Sequence, residues 1–440
     1  MLLSDHSRSL SPVHPLLPEI LDHDWLRDLA LRCGADDAGV VQADRNALNG
    51  DWDALASLLP GVQSAVAILV RMSPEALRSP WMGVANRSAD FASHSVDDAA
   101  SELSRRLLAA GVRSVAVPGG FPMDVQKWPG KTWPISHKTL AEQAGLGRMG
   151  HHRLLIHPEF GTAVALAAVI LDRPASGYAV PLETNPCNGC KLCVAACPTG
   201  SIRVDGSFSL VNCATHNYRY RLGGFNDWIE TLADSKDHLD YRRKVRSEET
   251  ISMWQSLTYG ANHTCLNCLA VCPAGGAFQR NEPGRPRAFG GKELVRHLMG
   301  RGGLIHVIRG SDAEAHAEKH FPPERINRVW SGNRITTTLG FLQALPLAFQ
   351  PGRSGGLDAT FHFIFTGPGA CRGTVRIREA KVAVMPELEG VPDVTVIAYG
   401  PTWLAYLAGE KSLLPALLTR RIRINGSKGL MKAFERCFPS

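Results

Sequence analysis

Apolar residues recur at helical spacing through 21–34, "LDHDWLRDLALRCG", with Leu21, Trp25, Leu29 and Leu31 in the pattern and Gly34 as a C-terminal stop. The pattern then changes. "DDAGVVQA" (36–43), "VQSAVAILVRM" (62–72), "VRSVAVP" (112–118) and "GTAVALAAVILD" (161–172) are short, nearly unbroken apolar runs, the mark of buried strands. Between them, 95–111 predicts a helix capped by Ser95 and ended by Gly111. "HKTLAEQAGLG" (137–147) predicts another that breaks at Gly145 and Gly147. Helices alternating with buried strands predict an α/β layer up to about residue 180.

From about residue 336 the period shortens. In "TFHFIFTG" (360–367) Phe361, Phe363 and Phe365 share one face, and "GTVRIRE" (373–379) sets Val375 and Ile377 against Arg376 and Arg378. "KVAVMPEL" and "DVTVIAYG" repeat the alternation, which predicts an antiparallel meander with one wet face. An apolar helical stretch, the short strand "RIRING" and an amphipathic helix "KGLMKAFERCF" complete an expected α+β domain over 336–440. Between the two units, 181–285 is set apart by its cysteines. Within it, 214–262 is rich in Arg, Tyr, Trp and Asp and suits helices packed over the cysteines. After the Pro/Gly-rich break "NEPGRPRAFGG" (281–291), 286–335 reads as a helical connector. The expected domains are therefore 1–180, 181–285, 286–335 and 336–440.

Composition refines this only slightly. The 440 residues allow two or three domains, and 44% hydrophobic with 20% charged content excludes a disordered chain. The net charge of +7 is mild, so the runs "YRRKVR" (241–246) and "TRRIRI" (419–424) read as solvated faces rather than nucleic-acid sites. No run of 18 apolar residues occurs and the first twenty residues lack a signal-peptide pattern, so a cytoplasmic protein without a membrane span is expected.

Cysteine spacing changes the picture most. "CNGCKLCVAACP" (187–198) places Cys187, Cys190, Cys193 and Cys197 at the C-x2-C-x2-C-x3-C-P spacing of bacterial iron–sulfur segments. "CLNCLAVCP" (265–273) adds Cys265, Cys268 and Cys272. Two 4Fe–4S clusters need eight thiolates, and these motifs hold seven. The cysteine ahead of proline ligates the other cluster in two-cluster ferredoxins. That rule groups Cys187, Cys190 and Cys193 with Cys272, and Cys265 and Cys268 with Cys197. Cys213 lies between the motifs and is the expected eighth ligand. A structural zinc site closes with four ligands and does not account for two such units. Cys33, Cys371 and Cys437 read as small buried hydrophobes.

The stretch 135–174, "ISHKTLAEQAGLGRMGHHRLLIHPEFGTAVALAAVILDRP", followed by these motifs, resembles the epoxyqueuosine reductase and reductive dehalogenase superfamily. So do "CGADDAGVVQADR" (33–45) and "LPGVQSAVAILV" (59–70), so the likeness spans about 20–285. The resemblance implies a nitroreductase-like α/β core, a ferredoxin-like two-cluster segment and a base-off cobalamin above the nearer cluster. It also implies that Cys213 is the crossed ligand. The chain departs from the family pattern. Lys131 stands where the proton-donating aspartate is expected, and Asp124 is the nearest alternative. "GLGWIGK" reads "GLGRMGH", with Arg148 and His151 in place of Trp and Lys. Residues 340–440, with "PD-x-T" at 392–395 and Trp403 in the following helix, resemble the sterol carrier protein type-two fold, which implies a lipid-like ligand.

Two-electron reduction also needs protons. Lys131, Asp124, His137 and His151 are the candidate donors, and Arg148, His152, Gly145 and Gly147 the candidate corrinoid contacts. The leading expectation is a cobalamin-dependent iron–sulfur reductase of a small or apolar organic substrate. Ferredoxin or flavodoxin electrons would enter at the Cys265 cluster and leave through the Cys187 cluster. An electron-transfer protein with a lipid-docking module is the alternative from another class. A tRNA-modifying reductase is a third reading, with tRNA not the expected partner because no helical-repeat tail follows.

Overall fold

Strand β1 (Asp37–Gln42) pairs with β2 (Ser64–Arg71) in a computed structural model that describes residues 18–43, 48, 51–130, 132–260, 262–275 and 291–439. Lys131 and most of the break at 281–291 lie outside the described residues, as does the expected boundary at 285. With β3 (Ser114–Val117) and β6 (Val164–Leu171) these strands form one sheet in the order β1-β2-β6-β3. Two-residue strands β4 (Arg148–Met149) and β5 (Leu155–Ile156) make a ribbon beside it. Every pair in the main sheet is antiparallel. The apolar runs therefore do not signal a parallel α/β sheet. They arise because both faces are covered. Val66, Ile68 and Val70 face α1 (His23–Arg32) on one side, while Ala65, Ala67 and Leu69 join the core of α2 (Trp52–Leu58) on the other.

Helix α3 (Pro74–Arg78) leads into α4 (Met82–Ala109), which covers the first face. Ser95 lies inside this 28-residue helix and is not its cap. Its start at Met82 escaped the sequence pattern because the first three turns carry polar and small residues. Helix α5 (His137–Gln143) packs on the second face and is capped by Ser136, whose hydroxyl accepts from Thr139 N–H.

Two short helices, α6 (Leu192–Ala195) and α11 (Asn267–Val271), carry cysteines of the two motifs. Asn267 Nδ2 donates to the Ala196 carbonyl at 3.1 Å and ties them together. Between them run α7 (Leu210–Asn217), α8 (Gly223–Ala233), α9 (His238–Lys244) and α10 (Ser247–Tyr259), as the composition of 214–262 implied. The connector holds α12 (Lys292–Met299) and α13 (Asp312–His320), but is not all helical. Its β7 (Ile305–Val307) and β8 (Ile326–Arg328) pair in parallel.

Helix α14 (Thr338–Ala348) opens the last unit, an α+β arrangement of five strands. These are β9 (Ala359–Thr366), β10 (Arg372–Arg378), β11 (Lys381–Met385), β12 (Val394–Tyr399) and β13 (Ile422–Gly426), in the order β11-β10-β9-β12-β13. The expected meander holds only for β9 to β11. After β11 the chain crosses back, so β12 pairs with β9 in parallel. Helices α15 (Gly400–Leu407), α16 (Leu413–Leu418) and α17 (Lys428–Arg436) complete the domain. Phe361, Phe363 and Phe365 point inward as the alternation required, and join Phe341, Trp403 and Phe434 in one aromatic core.

Candidate metal centre

The loop before α6 is built on left-handed turns. Gly189 has φ +72° and Lys191 φ +61°, so the chain folds back between Cys187 and Cys193. Asn185 and Asn188 side chains accept the Cys187 and Cys190 amides and fix that turn. On the other motif, Asn217 Oδ1 accepts from Cys265 N–H, linking it to the helix that carries Cys213.

The eight cysteines lie in two neighbourhoods of four. Cys272 has Cys190, Cys193 and Cys187 as neighbours. Cys268 has Cys265, Cys213 and Cys197, with Cys193 next. Burial pushes the Cys193 and Cys272 thiols up to about 11 and Cys265 to about 12, and raises Cys268 and Cys213 further. Neighbouring thiols add to the rise. Such thiols stay protonated at neutral pH until a metal displaces the proton. Among the described residues no three His, Cys, Asp or Glu side chains close on a single ion. A cube of iron and sulfur instead takes its four thiolates at separate corners.

The quartets differ at one corner. In the first, Cys190 is exposed, Cys187 half-buried and Cys193 and Cys272 buried; in the second, Cys197 is buried and Cys213, Cys265 and Cys268 are half-buried. The first, which holds the one exposed thiol of the eight, is the outer quartet and the second the inner. Sequence reasoning missed the groups beside the inner quartet. Lys138 donates from Nζ to the Arg153 carbonyl at 3.1 Å, and burial, with Arg153 nearby, lowers its pKa against the opposing pull of Cys213 and Cys268. Burial raises Tyr218, and Cys213 and Cys268 raise it further. The Tyr218 ring contacts Phe121 at 6.5 Å and His263 at 5.5 Å, with the Arg221 guanidinium over the Phe121 ring at 4.5 Å. Burial, then Arg221, holds His263 at about 3. "NYRYR" (217–221) offered one signal, a tyrosine and arginines just after Cys213.

The described candidates for proton donation sit in different settings. Asp124 sits at the surface in an ion pair with Lys127 at 3.1 Å, both side chains two-thirds exposed. His137 Nε2 donates to the Pro118 carbonyl at 2.8 Å while Nδ1 is buried without a partner, and burial lowers its pKa. His151 bridges the cluster segment, with the Arg203 carbonyl at Nε2 and Lys191 Nζ at Nδ1. Its ring nitrogens are therefore committed to structure. His152 is buried, accepts from Leu154 N–H at Nδ1, and leaves Nε2 without a partner. Burial lowers it to about 4. Gly145 has φ +70° at the end of α5, and a Cβ on Gly147 would run into the Ile156 carbonyl. The buried Arg148 Nε forms an ion pair with Glu142 Oε1 at 3.9 Å but makes no hydrogen bond.

Eight thiols in two quartets fit two 4Fe–4S clusters. For a corrinoid, the unpartnered nitrogens of Trp128, His137, His152 and His263 offer hydrogen-bonding capacity.

A family model described as a 4Fe-4S binding domain matches residues 181–203. The epoxyqueuosine reductase of Listeria monocytogenes is 30% identical over 184 residues, 40% of this chain and 38% of that protein. The epoxyqueuosine reductase of Bacillus subtilis is 34% identical over 172 residues, covering 38% and 37%. The chain thus spans under two fifths of the curated relatives it matches. A solved epoxyqueuosine reductase from Streptococcus thermophilus superposes at a TM-score of 0.37 and 16% identity, over 62% of this chain and 70% of that one. That superposition is too loose to align individual residues. No described helix is long and apolar enough to cross a membrane.

Proposed function

We propose, from the premise that the chain belongs to the epoxyqueuosine reductase and reductive dehalogenase superfamily, that it is an iron–sulfur reductase. Two 4Fe–4S clusters would carry low-potential electrons inward to a reducible group beside Cys213 and Cys268. The observation that carries this reading is the grouping of Cys187, Cys190 and Cys193 around Cys272 and of Cys197, Cys213 and Cys265 around Cys268. Cys187, Cys190, Cys193 and Cys272 would hold the outer cluster. Cys197, Cys213, Cys265 and Cys268 would hold the inner one. A ferredoxin or flavodoxin would deliver electrons at exposed Cys190. Entry there is the alternative to entry at the Cys265 cluster, the order expected from the sequence.

A base-off cobalamin, when bound, would supply a metal centre that passes electrons to an organic substrate. The chain's own part is to exclude water, orient the substrate and hold a proton. Tyr218 Oη keeps its proton because burial disfavours the phenolate, and it stands by the inner quartet. Arg221, stacked on Phe121, offers a cation to orient an electron-rich substrate. Asp124, on the surface, is not favoured for proton delivery. The sterol-carrier-like reading of 340–440 remains a proposal for an apolar ligand. The aromatic rings of Phe341, Phe363 and Trp403 already fill the space between sheet and helices.

Anaerobic reconstitution tests the reading. Iron and sulfide should load to about eight irons per chain, and added cobalamin should remain bound through gel filtration with a corrinoid spectrum. Loading that stops near four irons sinks the two-cluster arrangement. Loss of the corrinoid leaves only an electron-transfer protein.

The relatives' shared name favours a second reading, reduction of epoxyqueuosine in tRNA. Exposed Trp81 and Phe91 by α4, and Trp254 and Tyr259 on α10, could stack on bases, with Arg87 4.0 Å from the Phe91 ring centre. A gel shift with a tRNA stem-loop, followed by nucleoside analysis, separates the two substrates.

A further inference from the structure

Helix α16, "LLPALL", is apolar all round, a composition that belongs in an interior. Only one side of it is covered. Ala416 is buried, and Leu413 and Leu417 pack against the aromatic core of the last domain. Leu414 and Leu418, one turn apart on the other side, are 66% and 76% exposed, and Leu407 at the end of α15 is 40% exposed. Nothing among the described residues covers them.

The charge around this helix is one-sided. Residues 400–436 hold seven Lys and Arg against two Glu. Lys411, Arg420, Arg423 and Lys428 are exposed, and no carboxylate among the described residues pairs with them. The opposite edge of the same sheet behaves differently. There Arg372 pairs with Glu387 at 2.6 Å and Arg378 with Asp358 at 2.9 Å. Arg372 and Arg378 on that side thus have carboxylate partners, whereas the four cations around α16 have none among the described residues. Open cations beside aliphatic side chains match an interface with anionic headgroups above and acyl chains below. A nucleic acid would instead call for aromatic stacking, and here Trp403 is buried and Tyr406 half-buried.

We propose that α16 and the basic residues flanking it dock this protein on an anionic lipid membrane surface. Leu414 and Leu418 enter the headgroup boundary, and Lys411 and Arg420 meet lipid phosphates. The attachment is peripheral and independent of the reductase reading, because it uses no cluster residue. It brings the last domain to the phase where an apolar compound would concentrate.

The test is sedimentation of the full, cluster-loaded chain with vesicles of phosphatidylcholine alone or mixed with phosphatidylglycerol. The chain should pellet with the mixed vesicles only and be released by high salt. Leu414→Glu with Leu418→Glu should weaken binding by about tenfold or more. Lys411→Gln with Arg420→Gln should weaken it at low salt and flatten its salt dependence. All four side chains are exposed, and unchanged circular dichroism and iron content would confirm that each variant folds. Equal binding to both vesicle types, or binding to neither, overturns the proposal. So does a dimer by light scattering that Leu414→Glu dissociates, which would make the patch an interface between copies of this chain.

Discussion

Cys213 is the residue on which the two-cluster reading turns. Spacing alone grouped the seven motif cysteines, because C-x2-C-x2-C is a local loop and the proline marks the crossing ligand. Cys213 sits in a helix with no motif around it, and folding brings it beside Cys197 and Cys265. Cys213→Ser should therefore lower the iron of the reconstituted chain from about eight to about four and leave the outer cluster's EPR signal. Cys371→Ser, in the last domain, should change neither. Loss of both clusters, or of neither, would remove Cys213 from the ligand set. Lys138 was not legible in the sequence, since a lysine in a helix carries no mark of what tertiary packing sets beside it, and Tyr218 was signalled only by its place just after Cys213. The buried histidines give a second expectation at this scale. Burial, then Arg325, holds His216 at about 4, and burial holds His152 at about 4, against 6.5 for a free ring. Both are neutral when folded, and the unfolded chain takes up their protons first. Stability from these two groups is thus intact above about pH 6.5, falls as the pH drops toward 4, and levels off below. The slope is about 1.4 kcal/mol per pH unit for each. Denaturant midpoints between pH 7.5 and 4.5 should fall steeply, and His152→Met should make the fall shallower. An unchanged slope in that variant would show that His152 titrates alike in both states.

Elements were legible where one periodicity ran long enough to be read, and failed where it was interrupted. The four strands of the first sheet were found from their apolar runs, yet their direction was not, because burial on both faces erases the alternation that distinguishes antiparallel strands. Helix α4 was shortened to its apolar half. The β9–β12 pairing was missed because a crossover leaves no local signature. The polar tie between α7 and α10 was also invisible. Arg219, buried at the end of α7, pairs with Glu249 of α10 at 2.9 Å and with Asp227 of α8. Neither partner alone suggests a buried site. Removing one charge strands the others, so Glu249→Leu should cost about 3–5 kcal/mol. Arg219→Met together with Glu249→Leu and Asp227→Leu should recover most of that loss, since an apolar trio avoids the desolvation penalty. Urea denaturation followed by tryptophan fluorescence reads both, with Trp228 and Trp254 on the affected helices. A single-variant cost below about 1 kcal/mol would place the trio among solvent-screened surface pairs.

At the scale of the whole molecule, the question is whether the last domain is a separate body or part of the reductase. The sequence placed its start near 336 from the change of period, and α14 begins at Thr338. It could not show what joins that domain to the rest. Gln350, 1% exposed just after α14, makes the joint. Its Oε1 accepts from Asn212 Nδ2 at 3.1 Å and from Asp312 N–H at 3.0 Å, and its Nε2 donates to the Ala348 carbonyl at 2.9 Å. Asn212 is the neighbour of Cys213 on α7, and Asp312 opens α13. One buried amide therefore ties the last domain to both the inner cysteine quartet and the connector. Gln350→Leu keeps the volume roughly but leaves two buried donors without an acceptor, each costing about 1–3 kcal/mol. The last domain's own core should lose less, because the variant keeps the backbone hydrogen bond from Gln350 N–H to the Cys437 carbonyl that ties the end of α14 to it. Calorimetry should then show one transition in the natural chain and two in the variant, the lower belonging to the cluster-bearing part. Iron content should fall on mild heating in the variant first. A single transition that merely shifts downward would mean that the wider contact between α7 and α14 carries the coupling, and Gln350 would be one contributor among several.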